Sequence, residues 1–325
     1  MRRMGKAILM KTANAIITIF AVITFNFFLF RVMPGDPARV LLPKQVRASP
    51  ELIEKLRRFY GLDKPLHVQF INYVVQVFQG KLGYSFAYHE PVARVIMDYI
   101  WNTILLVGVG EGIAIILGII LGAVAAWRRG EPFDLTVTAL NLIFWSMPEF
   151  WLGMVFILVF GRYLKILPTS GIVDPWLFHE NVFSYVADVL RHLILPSTTL
   201  ALIMLASYYM IMRNTLIDVT TEDYIRTAKA KGFSEKEILW KHAVPNALLP
   251  TVTTVAIGLA SVISGALTIE IVFSWPGMGW LTYQAIVRRD YPLLQAIFLI
   301  TSALVIIANL FADIIYTYLD PRVKI

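Results

Sequence analysis

The 325-residue chain has no cysteine. That absence excludes a disulfide framework, a thiolate metal site and a cysteine nucleophile. Charge is scarce too: 16% of residues are Asp, Glu, Lys or Arg, against about 25% in soluble proteins. No G-x-x-x-x-G-K-[ST] phosphate loop occurs, so the chain supplies no ATP site of its own. No H-E-x-x-H or G-x-S-x-G occurs and no serine–histidine arrangement rises above background, which leaves a membrane hydrolase without its residues. His67 and His89 lack a second metal-type ligand at helical spacing and read as surface residues. There is no convincing internal repeat.

What the chain does have is apolar length. Hydrophobic residues make up 58% of it and fall in runs long enough to span a bilayer, which takes about 20 residues per helix. Six runs qualify: Ala7 to Phe30, Ile104 to Trp127, Leu135 to Phe160, Leu193 to Met212, Leu248 to Phe273 and Leu293 to Leu319. The first is too long for the core of a signal peptide, about 7–15 residues, and is expected to stay as an anchor. Arg2, Arg3, Lys6 and Lys11 place the N-terminus in the cytoplasm, and six spans return the C-terminus there. The loops Trp127 to Asp134 and Arg213 to Ala247 come out cytoplasmic. The long loop after the first span is basic, but long loops cross largely regardless of charge. The net charge of +7 thus reflects topology rather than nucleic-acid binding.

Three regions follow: residues 1–30, the N-terminus and first span; 31–100, an extracytoplasmic helical subdomain; and 101–325, a five-helix core. In the second, MPGDP at Met33 is a turn leaving the membrane. Ser49 and Pro50 start a helix with a Leu52, Leu56 and Phe59 stripe ending at Gly61. A second helix carries Gln69, Asn72, Gln76 and Gln79 on one face and Phe70, Val74 and Val77 on the other, closed by Gly80. Such helices can meet a partner, but covering span ends is the simpler role.

In the core, Glu111 lies inside the second span, where an ionisable group costs at least about 2.5 kcal/mol and suggests function. It either lines a hydrated path or pairs with a neighbouring helix. Gly118 and Gly122 give the small-xxx-small spacing of a close helix contact. Pro148 is expected to kink the third span, with Glu149 beside the kink and Trp145 and Trp151 flanking it. Pro196 sits near the start of the fourth span, which holds Tyr208 and Tyr209. Glu111, Glu149 and Tyr208 are the candidate path residues. The fifth span is rich in small residues from Gly258 to Ala266 and ends at Glu270, before a tight glycine turn. Trp275 and Trp280 there suit an interfacial belt. Asn309 and Asp313, one turn apart, read as a helix contact.

The most polar stretch of the second half is Thr221 to Pro250. Thr221 is placed to cap a helix with Glu222 and Asp223 in its first turn. Lys229 and Lys231 fill the last turn, and Gly232 supplies a left-handed terminator. Ser234 and Glu237 form a capping-box pattern that starts a second helix through Ile238, Leu239 and Trp240. Ala228 and Ala230 are small enough to let another surface come close. A compact basic hairpin at 221–250 reads as a docking element, built on Glu222, Asp223, Tyr224, Arg226, Thr227, Ala228, Ala230, Lys231 and Gly232.

This hairpin resembles the cytoplasmic "EAA" loop of permease subunits in ATP-binding-cassette importers, in its peptide and nickel permease form: DYIRTAKAKG, then HAVPNALLP. Against the general pattern, Gly232 and Ala228 match, Arg226 and Thr227 replace Glu and Ala, His242 replaces Ile, and Val244-Pro245 replaces Leu-Pro. GLDKPL at Gly61, GKLGYS at Gly80, ExVFxWPGxGxL from Glu270, RRDYP at Arg288 and NLFADIIYTYLDPR from Asn309 extend the likeness along the chain. A Pro-x-Phe-Trp segment does so at Pro148, with Glu149 where a small residue is usual. The resemblance implies an all-α polytopic membrane protein of six transmembrane helices, an importer-type permease fold with a cytoplasmic coupling helix. It implies a non-enzymatic subunit in a prokaryotic inner membrane, passing small peptides, nickel complexes or sugars. The partners implied are a second homologous permease, two cytoplasmic ATPases carrying ATP and Mg, an extracytoplasmic solute-binding protein and membrane lipid. No cofactor is expected on this chain. The alternative is a stand-alone ion-coupled transporter, kept open by Glu111 and Glu149.

Overall fold

The computed structural model describes residues 2–32, 49–59, 63–261 and 266–319. MPGDP lies outside them, as do the side chains of Leu52, Leu56, Phe59 and Asp313. The described residues are helical apart from turns and one isolated bridge, Tyr84 with Pro91. In order the helices are α1 (Arg2–Val32), α2 (Pro50–Phe59), α3 (Leu66–Phe78), α4 (Val92–Trp127), α5 (Pro132–Ser146), α6 (Glu149–Phe156) and α7 (Val182–Val219). Then come α8 (Asp223–Ala230), the single turn α9 (Glu235–Glu237), α10 (Val244–Ser261), α11 (Leu267–Val272), α12 (Met278–Arg288) and α13 (Tyr291–Leu319). Wide π turns extend α6 over Ile157–Tyr163 and join α9 to α10 over Ile238–Ala243.

Among the described residues, four helical stretches are long and apolar enough to cross a membrane: Ile8–Phe30, Val92–Trp127, Val182–Val219 and Tyr291–Phe311. α5 and α6 with its π extension are so only together, as a broken span or a re-entrant loop. The region Leu248 to Phe273, a span by its sequence, is divided between α10 and α11 around residues 262–265, which are not described. α4 and α7 begin at Val92 and Val182, well before the apolar runs do. At 36 residues α4 is about 54 Å long, more than the roughly 30 Å hydrocarbon layer needs. For α7 a cap, not hydropathy, sets the start. Asn181 caps α7, its Oδ1 accepting from Ser184 N at 2.9 Å. Pro196 therefore lies inside α7 rather than near its start.

The third span does more than kink. α5 and α6 are set at 104° to each other. Proline disfavours helical geometry in the residue before it, and Met147 is extended (φ −82°, ψ 137°), so the chain turns instead of bending.

The chain forms two compact units, one of Met1–Ile100 with Leu281–Ile307, the other of Trp101–Trp280 with Ala308–Ile325. In the first, Phe70 and Tyr73 of α3 pack on Phe27 of α1 at ring separations of 5.3 and 5.6 Å. Buried Asn26 donates to Tyr73 Oη at 3.1 Å and to Gln295 O at 2.9 Å. The apolar face of α3 thus covers a span, and Gly80 ends the helix region at φ +71°. Asp290 of RRDYP is buried, accepting from Ser85 Oγ at 2.5 Å, Ala87 N at 3.0 Å and Leu293 N at 3.2 Å. That contact joins the GKLGYS segment to RRDYP. Among the described residues no group of three or more metal-type ligands gathers, and His67 and His89 are exposed.

In the second unit α4 packs on α7 through its glycines. A Cβ on Gly118 would stand 3.1 Å from Tyr209 N, and one on Gly122 2.7 Å from Tyr209 O. The small-residue spacing therefore serves a close helix contact.

Candidate coupling site

The hairpin after α7 is a compact block. Thr220 and Thr221 turn their hydroxyls back onto Ile217 O and Asp218 O, each at 2.7 Å. Thr221 therefore does not cap α8. The cap position falls on Glu222, one residue later, whose side chain makes no capping bond. Asp223 stands in the first turn, where a carboxylate suits the helix dipole, and ion-pairs with Arg226 at 3.4 Å on the surface. Thr227 Oγ1 donates to Asp223 O at 2.9 Å.

The end of α8 is a Schellman turn. Gly232, at φ +80°, donates from its N to Lys229 O at 3.0 Å, and Phe233 N reaches Ala228 O at 3.4 Å. Ser234 then accepts from Glu237 N at 3.3 Å. The pairing is not the full box, because the Glu237 carboxylate accepts from the Ser234 hydroxyl (3.2 Å) and Lys241 Nζ (3.0 Å). The Lys241 ammonium holds the Glu237 carboxyl below the usual carboxylate range.

Ala228 faces inward. It is 5% exposed and joins Ile225, Ile238, Leu239 and Ala243 in one cluster with Met212 and Leu216 of α7 and Ala123 and Ala126 of α4. Ile225 and Ala228, three apart, form the inward stripe of α8. Lys229 Nζ lies 5.7 Å from the Trp127 ring centre. Left on the outer surface are Glu222, Asp223, Tyr224, Arg226, Thr227, Ala230, Lys231 and Gly232. Phe233 and Trp240 are exposed there as well, two aromatic surfaces that the polar character of the stretch conceals. Partial desolvation of the Tyr224 hydroxyl, with the Glu222 carboxylate adding to it, raises that group's pKa.

Of the three candidate path residues, the structure brings two together. Glu111 of α4 is 2% exposed, and its Oε1 accepts a hydrogen bond from buried Tyr208 of α7. Gly258 of α10 closes over both, and a Cβ there would collide with Tyr208 Oη and Glu111 Oε1. Oε2 of Glu111 is buried with no partner among the described residues. Here Glu111 joins three helices. Glu149 stands elsewhere, half-buried in the first turn of α6.

Leucine at 111 would strand the Tyr208 hydroxyl, and phenylalanine at 208 would take from Glu111 Oε1 its donor. Each loss is expected to cost about 1–3 kcal/mol. Removing both partners is the milder change, so Glu111→Leu/Tyr208→Phe is expected to melt above either single variant in detergent. A double variant melting lower than both would mean the pair is not what stabilises this contact. Glu111→Gln, which keeps an acceptor, is expected to transport better than Glu111→Leu.

A further buried carboxylate is Glu270 of α11, which the sequence marks only as the end of a span. It is fully buried. Its Oε1 accepts from Thr103 Oγ1 at 2.8 Å and its Oε2 from Trp280 N at 3.0 Å. Thr103 Oγ1 in turn accepts from Met278 N at 2.7 Å. Trp275 is also fully buried, donating through Nε1 to Asn102 O at 2.9 Å. It is therefore not a membrane-interface residue: the carboxylate and Asn102 wrap the turn inward around it. Asn102 completes the clasp with Pro276 O at 2.8 Å.

Residues 114–325 match the family described as binding-protein-dependent transport system inner membrane component, and residues 4–107 match its N-terminal companion. The chain is 36% identical to the oligopeptide transport system permease protein AppB of Bacillus subtilis, over 99% of this chain and 100% of that one. It is likewise 36% identical to the di/tripeptide transport system permease protein DppB of Pseudomonas aeruginosa, over 94% and 95%. Among solved structures, a chain of the MetNI methionine ABC transporter in an inward-facing conformation superposes with a TM-score of 0.56 at 17% identity. That superposition covers 70% of this chain and 96% of the other.

Proposed function

The chain belongs to the binding-protein-dependent transport system inner membrane components, and from that membership we propose how its parts work. It is a multi-pass inner-membrane permease subunit of an ATP-driven importer for small peptides or related solutes, and not an enzyme. Its ATPase and solute-binding partners are separate chains. The finer assembly is one copy of this chain, a second homologous permease, two ATPases holding ATP and Mg, and one binding protein outside.

The exposed face of the hairpin is the ATPase seat. What supports this is its construction: the hairpin is packed by Ile225, Ala228, Ile238 and Leu239 onto the ends of α4 and α7, so a force on its outer face reaches the spans. Both termini lie in the cytoplasm, consistent with Arg2, Arg3 and Lys6 before the first span. Reporter fusions after Ile172 and after Ser234 are expected to read outside and inside respectively. The opposite pair of signals overturns this topology.

The function itself is tested by reconstituting the chain with its neighbouring permease, ATPases and binding protein in liposomes. Labelled di- and oligopeptides are expected to enter only with ATP and the binding protein. Uptake driven by an ion gradient without ATP would restore the stand-alone transporter.

A further inference from the structure

At the cytoplasmic end of α5, Asp134 is 1% exposed and takes a two-pronged bond from Arg213 of α7, Nε to Oδ1 at 2.6 Å and Nη2 to Oδ2 at 2.8 Å. Gly130 N adds a bond to Oδ2 at 3.0 Å. One turn along, Thr138 of α5 bonds Tyr209 of α7, hydroxyl to hydroxyl, at 2.7 Å. Two polar ties in succession thus join α5 to the last turns of α7.

We propose that Asp134 and Arg213 are positioning residues for transport, forming the strut that carries movement of the cytoplasmic hairpin into the broken span α5–α6. The inference rests on the importer reading above. The hairpin cannot move independently of the end of α7, because Met212 and Leu216 share its core. Nor can α7 slip there along α4, whose Gly122 backbone lies against Tyr209 and Arg213. α10 also packs on this end of α7, but the ion pair goes to α5, which leads from Asp134 to the 104° break. Apolar faces slide, whereas a guanidinium fork on a carboxylate fixes both distance and angle. A buried ion pair contributes little net stability compared with an apolar pair of the same size, so its use at this place fits a need for orientation.

The test is uptake per ATP hydrolysed, in liposomes holding the whole importer, for Asp134→Asn, Arg213→Gln and the double variant. A purely structural pair changes how much complex assembles, but not this ratio. Each single variant is expected to lower the ratio at least tenfold while hydrolysis continues, and the double to fall no further than the worse single. A single variant with the wild-type ratio overturns the strut, and so do losses that multiply in the double. Should a single variant fail to assemble, Arg213→Lys keeps the charge without the fork and is expected to lose about threefold; a wild-type ratio there overturns the proposal equally. An unmutated complex that shows no ATP-dependent uptake indicts the importer reading instead.

Discussion

Gly277→Val is expected to keep the chain from accumulating in folded form. A Cβ at this position would overlap the carboxyl of Glu270, and that carboxyl cannot swing aside. It is fixed by Thr103 on one oxygen and by the Trp280 amide on the other, in a fully buried site. Pushing it out breaks both bonds and adds the cost of overpacking, together about 3 kcal/mol or more. Glu270→Leu is expected to be nearly as severe, because it strands the Trp280 amide. Glu270→Gln keeps an acceptor on one side and is expected to be milder. Size-exclusion profiles of fluorescently tagged chain extracted from membranes give the measurement. A wild-type peak for Gly277→Val would show that the turn relaxes around added bulk, and that the clasp is not what holds it.

The residues of this clasp are each visible in the sequence, but their meeting is not. Thr103 and Glu270 are 167 positions apart, as Ser85 and Asp290 are 205 apart. Hydropathy and spacing describe a helix by its faces; they do not say which neighbour meets each face. Trp275 shows the consequence. A tryptophan beside glycines at a span end suits a lipid interface, and only the distant Asn102 carbonyl makes it a core residue. Local chemistry is more legible. Gly232 takes the left-handed conformation that a helix terminator needs, and Gly118 and Gly122 make the close contact their spacing implies. Pro148 marks the break correctly, but a proline constrains the residue before it without setting the new direction, so the 104° turn is not legible. In the hairpin the difficulty is one of weighting. Small size makes Ala228 look like an outward docking residue, whereas its spacing from Ile225 already places it on the inward stripe.

That inward placement decides how the docking proposal is tested. Ala228→Trp would drive an indole into the hairpin's own cluster, so it is expected to reduce the amount of folded chain and says little about partners. Ala230 is the informative position, since it is exposed and lies in the last turn of α8. Ala230→Trp is expected to leave the chain at normal levels in the membrane and to reduce co-purification of the ATPases at least tenfold. Gly232→Val works differently, through the backbone. At φ +80° even alanine costs about 1 kcal/mol and a branched residue more, so the Schellman turn opens and the aromatic face at Phe233 shifts. This variant is expected to retain some ATPase yet hydrolyse ATP without matching uptake. Lys236→Gln, on an exposed residue of the next turn, is expected to do little. Co-purification, hydrolysis and uptake measured on all four variants separate the cases. Full retention and full coupling in both Ala230→Trp and Gly232→Val would make the hairpin an ordinary loop, and the ATPase seat would then lie elsewhere on the cytoplasmic face.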